Sequence, residues 1–257
     1  MRGVALGLYP GGASDAAQHT RAVDEIAATG ASHVAAVVLY SQHDVSSYEL
    51  GAGSKTIADD VLRAVIRRAH RRGLGVLVFP IVQLDVTSPG QWRGTLQPTD
   101  PAKWWLSYEA FILHYADIAA QEGAEALLVG SELGSTELWR DRWYHLISGV
   151  QRRFDGALIY SANWDHYRHV SFWNRLDAIG VTGYYELTDD DDAPIATLQR
   201  AWQSARSELL AWSASRELPL WITEVGYASR NGAATAPWDY TTDNKVDLED
   251  LIRKLSM

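Results

Sequence analysis

Cysteine is missing altogether, which rules out disulfides and thiolate metal sites and leaves the redox compartment open. Also missing are a signal-peptide pattern at the start and any run of about 20 apolar residues able to cross a bilayer. The first strand begins almost at once, so the chain is expected in the cytoplasm, or outside the cell with a leader already trimmed. Positive charge is in deficit: the formal net charge of −9 repels nucleic acid and anionic membrane surfaces and suits a neutral partner. No dinucleotide-binding fingerprint follows the first apolar run, because Gly7-Leu8-Tyr9-Pro10-Gly11 has the wrong spacing and a proline in the turn. Gly226 and Gly232 stand too far apart to build the phosphate-binding loop of many metabolic barrels. Phenylalanine is scarce, four residues against eleven tryptophans and twelve tyrosines. Trp and Tyr join an apolar face to a polar handle, and a sugar ring offers C–H faces and hydroxyls to match.

What is present is a regular alternation. Near-continuous apolar stretches run from Gly3 to Tyr9, His33 to Tyr40, Leu74 to Leu84, Ala126 to Glu132, Ala157 to Asn163, Leu176 to Tyr185 and Leu218 to Glu224. Helical spacing follows Ser14, then Thr56 as a cap, with Ile57, Val61, Leu62, Val65, Ile66 and Ala69 as a buried stripe. The opposite face carries Arg63, Arg67, Arg68, Arg71 and Arg72 and reads as a solvated exterior. Further helices are expected from Lys103 to Glu122, Thr136 to Phe154, Ile195 to Arg216 and over residues 246–255. The acidic run Asp189 to Asp192 lacks metal-loop spacing and reads as a solvated loop start.

Seven strand–helix alternations of this kind predict a parallel sheet with helices outside it. Polar and aromatic residues collect at the strand ends: Tyr9, Tyr40, Gln83, Glu132, Asn163, Tyr184, Glu224. A closed barrel brings all those ends onto one rim. The expected fold is therefore an α/β (β/α)8 barrel, a single domain over residues 1–257. The eighth strand and helix are absent from the chain as it stands, and the open barrel edge would invite self-association through a partner strand.

Two of the strand ends carry chemistry. Glu132 closes the fourth strand and Glu224 the seventh, and a carboxylate in an otherwise apolar strand seldom lacks a use. Glycoside hydrolysis uses such a pair. At about 5–5.5 Å, one carboxylate attacks the anomeric carbon while the other carboxyl protonates the leaving oxygen. The acid has to hold its proton near neutral pH, which burial and a like-charged neighbour both favour. Tyr184, on the strand beside Glu224, is placed to donate a hydrogen bond to it.

These residues carry a resemblance. An acid/base glutamate after strand four and a nucleophile after strand seven is the pattern of the large retaining clan of (β/α)8 glycosidases. Within it the chain resembles glycoside hydrolase family 113, the β-mannanase family. The matching stretches are Gln91-Trp92-Arg93-Gly94, Trp105 to Tyr115, Val129-Gly130-Ser131-Glu132-Leu133 and Ser161-Ala162-Asn163-Trp164-Asp165. Phe172-Trp173 to Tyr185, Ile222-Thr223-Glu224-Val225-Gly226-Tyr227 and Pro237-Trp238-Asp239-Tyr240 complete them. The resemblance implies a retaining enzyme cleaving β-linked polysaccharide, β-1,4-mannan or glucomannan, with neither metal nor organic cofactor. It makes Glu132 the acid/base, Glu224 the nucleophile, and Trp92, Asn163, Trp164, Tyr184 and Trp238 walls of a sugar cleft; Tyr9, at the end of strand one, joins the expected substrate-binding residues. Ser131 departs from the clan, where many members place an asparagine that binds the sugar 2-hydroxyl. Two other readings stand beside it: a non-catalytic carbohydrate-binding barrel, and a glycosidase acting on a bacterial exopolysaccharide.

Overall fold

The computed structural model describes residues 2–11, 15–228, 230 and 232–239. The expected cap at Ser14, the end of the Pro237–Tyr240 motif and the helix at 246–255 lie outside the described residues. The described residues gather into two compact units, one of those up to 162 together with 168–178, the other of 163–167 together with those from 179 to 239.

The first unit holds β1 (Gly3–Gly7), β2 (His33–Gln42), β3 (Leu50–Gly51), β4 (Gly75–Leu84), β5 (Ala126–Ser131) and β6 (Ala157–Ala162). Between them run α1 (Asp15–Ala28), α2 (Asp59–Arg71), α3 (Pro101–Glu122) and α4 (Arg140–Gln151). The order β1-β2-β4-β5-β6 is parallel throughout, and the two-residue β3 lies antiparallel on the end of β2. In the second unit β7 (Ala178–Thr182) pairs in parallel with β8 (Leu220–Glu224), and α5 (Ile195–Ala214) connects them. Seven parallel strands with sequential helices make this a (β/α)8-type fold without its eighth strand among the described residues. The alternation is less regular than expected. The described residues contain five α-helices, and 3-10 turns at Tyr167–His169 and Trp173–Arg175 replace a helix between β6 and β7.

β5 is buried along its whole length, the pattern of a parallel strand covered on both faces. On α2 the predicted stripe is buried, but Thr56 is not its cap. Ala58 holds that position, and the Thr56 hydroxyl instead accepts the Gly53 N–H at 2.8 Å. The arginine face of α2 is not simply solvated. Arg68 grips Asp24 of α1 through two bonds of 2.7 and 2.6 Å, and Arg67 grips Glu122 of α3 at 2.6 and 2.7 Å. Paired forks of this kind fix orientation more than they add stability, since exposed ion pairs contribute about 0–1 kcal/mol each.

Asp100 caps α3 by accepting the Lys103 N–H, Pro101 opens the helix, and Gly123 closes it at φ 72°. Its buried face is an aromatic column. Trp104 stacks on Tyr108 with centroids 4.9 Å apart, and Tyr108 meets Phe111 and Trp143 edge-on. Tyr40, expected on the rim, turns outward instead and stacks on Phe111 at 4.6 Å. Trp139 is half-buried just ahead of α4 rather than within it. The buried rings aim their polar handles at the strand ends and rim loops. Trp104 Nε1 donates to Gln42 Oε1, the Tyr108 hydroxyl to the Val129 carbonyl, and Trp143 Nε1 to the Thr136 carbonyl.

Candidate active site

Each candidate glutamate stands at the end of a strand carrying one extra residue. On β5 the register with β6 jumps from Leu128 to Gly130, leaving Val129 as the insert. On β8 the register with β7 jumps from Ile222 to Glu224, leaving Thr223. Side chains alternate faces along a strand, so one inserted residue re-aims every side chain after it. Gly130 is required by crowding: a Cβ there would lie 2.7 Å from the Tyr108 hydroxyl and 2.9 Å from the Trp143 ring.

In the first unit, Glu132 follows β5 with a left-handed backbone, φ 54°, and is 7% exposed. Its N–H continues the ladder to the Ser161 carbonyl at 2.7 Å. Arg93 Nη2 donates to Glu132 Oε2 at 2.5 Å, from a 3-10 turn at Arg93–Thr95. Trp92 precedes that turn, 38% exposed, its ring folded closely over Gly94. Ser131, in place of the clan's asparagine, is buried and its hydroxyl has no hydrogen-bond partner among the described residues. Tyr9 stands apart at the end of β1. It is half exposed, with its N–H donated to His19 Nε2 at 3.2 Å.

In the second unit, Glu224 ends β8, and the Tyr184 hydroxyl donates to its Oε2 at 3.2 Å. The Gly183 N–H donates to the Glu224 carbonyl at 2.7 Å, which holds the strand end in place. Asn163 Oδ1 accepts the Trp164 N–H at 3.0 Å and the Thr182 hydroxyl at 3.2 Å, so this amide shapes the loop after β6. Trp164 stacks on Trp238 with centroids 5.8 Å apart and planes at 20°, and meets Tyr185 at 5.1 Å. Trp238 is 45% exposed. An exposed indole stack of this kind offers the flat apolar surface that a sugar's C–H face covers. Arg93 was legible only as part of a motif, and Tyr160 and Glu137, buried just behind Glu132, were not singled out by the sequence.

No curated protein sequence matches the chain. Solved structures do. The GH113 β-mannanase from Alicyclobacillus acidocaldarius, in complex with ManMIm, superposes with a TM-score of 0.85 at 27% identity, covering 98% of this chain and 79% of that one. A GH113 β-1,4-mannanase solved as a complex gives 0.80 at 26% identity, over 93% of this chain and 74% of that one. A further GH113 β-1,4-mannanase gives 0.82 at 24% identity, over 100% and 82%. The model of Glycoside Hydrolase Family 113 matches residues 10–253, a span that includes Glu132, Glu224 and every aromatic discussed above except Tyr9. The chain belongs to glycoside hydrolase family 113.

Proposed function

We propose that this glycoside hydrolase cleaves β-1,4-linked mannan or glucomannan with net retention, as a single catalytic domain over residues 1–257. Glu224 attacks the anomeric carbon, and the glycosidic C–O bond breaks as its oxygen takes the proton of Glu132. The covalent glycosyl-enzyme is then hydrolysed by a water that gives a proton to the Glu132 carboxylate, which releases Glu224. Arg93 faces the Glu132 carboxylate left by the first step, and Tyr184 orients the Glu224 carboxylate for attack. Trp92, Asn163, Trp164, Trp238 and Tyr9 bind the sugar. The observation that carries this reading is that the family match, over residues 10–253, spans both glutamates and the aromatics around them.

The test is product analysis on a panel of β-mannans and β-glucans, with Glu224→Gln as control and the first-formed anomer read by proton NMR. Mannan cleavage that initially yields the β-anomer is expected. An initial α-anomer, or activity surviving in Glu224→Gln, would remove the mechanism; cleavage of β-glucan alone would remove the substrate.

A further inference from the structure

Behind Glu132 lies a buried polar chain that the proposed mechanism does not use. Glu137 is 1% exposed and Tyr160, on β6, is fully buried. The Tyr160 hydroxyl donates to Glu137 Oε1 at 2.7 Å and accepts the Leu133 N–H at 2.9 Å. Burial and then the charge of Glu137 push the Tyr160 phenol well above its ordinary value, so the hydroxyl keeps its proton. A phenol has one hydrogen to give. Committed to Glu137, it leaves a lone pair of Tyr160 facing the Leu133 amide. The Leu133 carbonyl is fixed as well, by the Thr136 N–H and the Thr136 hydroxyl, both at 2.8 Å.

Leu133 follows the one residue of β5's end that needs holding. A left-handed backbone is strained for a residue that carries a side chain and persists only where its surroundings over-determine it. Glu132 is fixed on its N-terminal side by the bond to Ser161. On its C-terminal side, the peptide that links it to Leu133 is fixed by Tyr160. We propose that Tyr160 and Glu137 are positioning residues that hold Glu132 in its left-handed conformation by anchoring the Leu133 amide. Without that anchor the peptide turns, Glu132 relaxes to negative φ, and its Cα–Cβ bond swings the carboxyl away from the leaving oxygen. The inference rests on Glu132 being the acid/base.

The experiment compares aryl β-mannosides with activated and with poor leaving groups, because only the poor ones depend on a placed acid. Tyr160→Phe is expected to lower kcat/KM on the poor leaving group about tenfold or more, within the range a general acid supplies. kcat/KM on the activated substrate, whose leaving group needs no acid in the first step, should change less than about twofold. Glu137→Gln, which keeps an acceptor oxygen for Tyr160, should stay near the parent. In a Glu132→Ala background, Tyr160→Phe should cost nothing further. Equal losses on both substrates, or the same loss in both backgrounds, would mean the pair serves the core alone and would overturn the proposal. Should Tyr160→Phe fail to fold, Glu137→Asp withdraws the acceptor by one methylene and reads the same split. Glu132→Ala alone separates the two ideas. If it is insensitive to the leaving group, the acid/base assignment fails and takes the inference with it; if it is sensitive while Tyr160→Phe is not, only the positioning role fails.

Discussion

Glu132 holds a backbone shape that glycine adopts freely and that a β-carbon opposes. Two replacements therefore separate strain from chemistry. Glu132→Gly should be more stable than Glu132→Ala by about 1 kcal/mol, although glycine normally loses that comparison in regular structure. Urea unfolding of the two variants decides it, and alanine ranking equal or higher would show that the residue relaxes. Tyr184 bears on the partner carboxylate. A hydrogen bond to a charged group contributes about 1.5–3 kcal/mol, so Tyr184→Phe should lower kcat/KM by about tenfold or more with the thermal midpoint little changed. Unaltered kinetics would strip Tyr184 of its role and leave it a neighbour of Glu224. Neither the left-handed turn nor the Arg93 contact could be seen in the sequence. A glutamate carries no signal of positive φ, and Arg93 reaches Glu132 across 39 positions.

The strands and helices themselves were largely legible, because apolar runs of strand length and stripes of helical period come straight from burial. The bulges were not. Inserting Val129 into β5 or Thr223 into β8 leaves each apolar run looking uninterrupted, yet changes which face the closing glutamate occupies. Gly130 is the detectable trace of the first. Gly130→Ala would press against Tyr108, Trp143 and Tyr160 together. We expect a loss of about 1–3 kcal/mol from overpacking, read by urea unfolding. A neutral effect would show that β5 can shift outward there. The aromatic excess was legible in number but only partly in purpose. Trp92 and Trp238 are exposed and Trp164 is half-buried, whereas Trp104, Tyr108, Trp143 and Tyr160 fill the layer behind the rim, the last three bonding its backbone and Trp104 the Gln42 side chain. Periodicity over Lys103 to Glu122 marks that face as buried; it cannot say which carbonyl a hidden hydroxyl meets.

For the molecule as a whole, His19 and Glu122 are two of the groups through which stability answers to acid. His19 donates from Nδ1 to the Asp15 carbonyl and accepts the Tyr9 N–H at Nε2, so its neutral form is the one that fits. Burial lowers its pKa below 6.5, against a smaller opposing pull from Asp15. The unfolded chain then binds a proton that the folded chain refuses, and stability falls as pH drops below 6.5 until the folded value is passed. Glu122 is held below 4.5, first by its bond to Arg67, so its contribution is present above that value and fades as pH falls through its lowered one. Urea midpoints at about pH 7.5, 5.5 and 3.5 should decline in two stages. His19→Gln should flatten the first stage alone, and an unchanged first stage in that variant would assign it elsewhere. The stacked indoles of Trp164 and Trp238 have a use of a different kind. Two such rings at 5.8 Å couple their electronic transitions and contribute to the near-ultraviolet circular dichroism, beside the core contacts Trp104–Trp105 and Trp105–Trp143 at 5.1 and 5.2 Å. A molecule that settled on the exposed face of Trp238 would alter that contribution and leave the core pairs as they are, which would make the protein an optical reporter of its own occupancy.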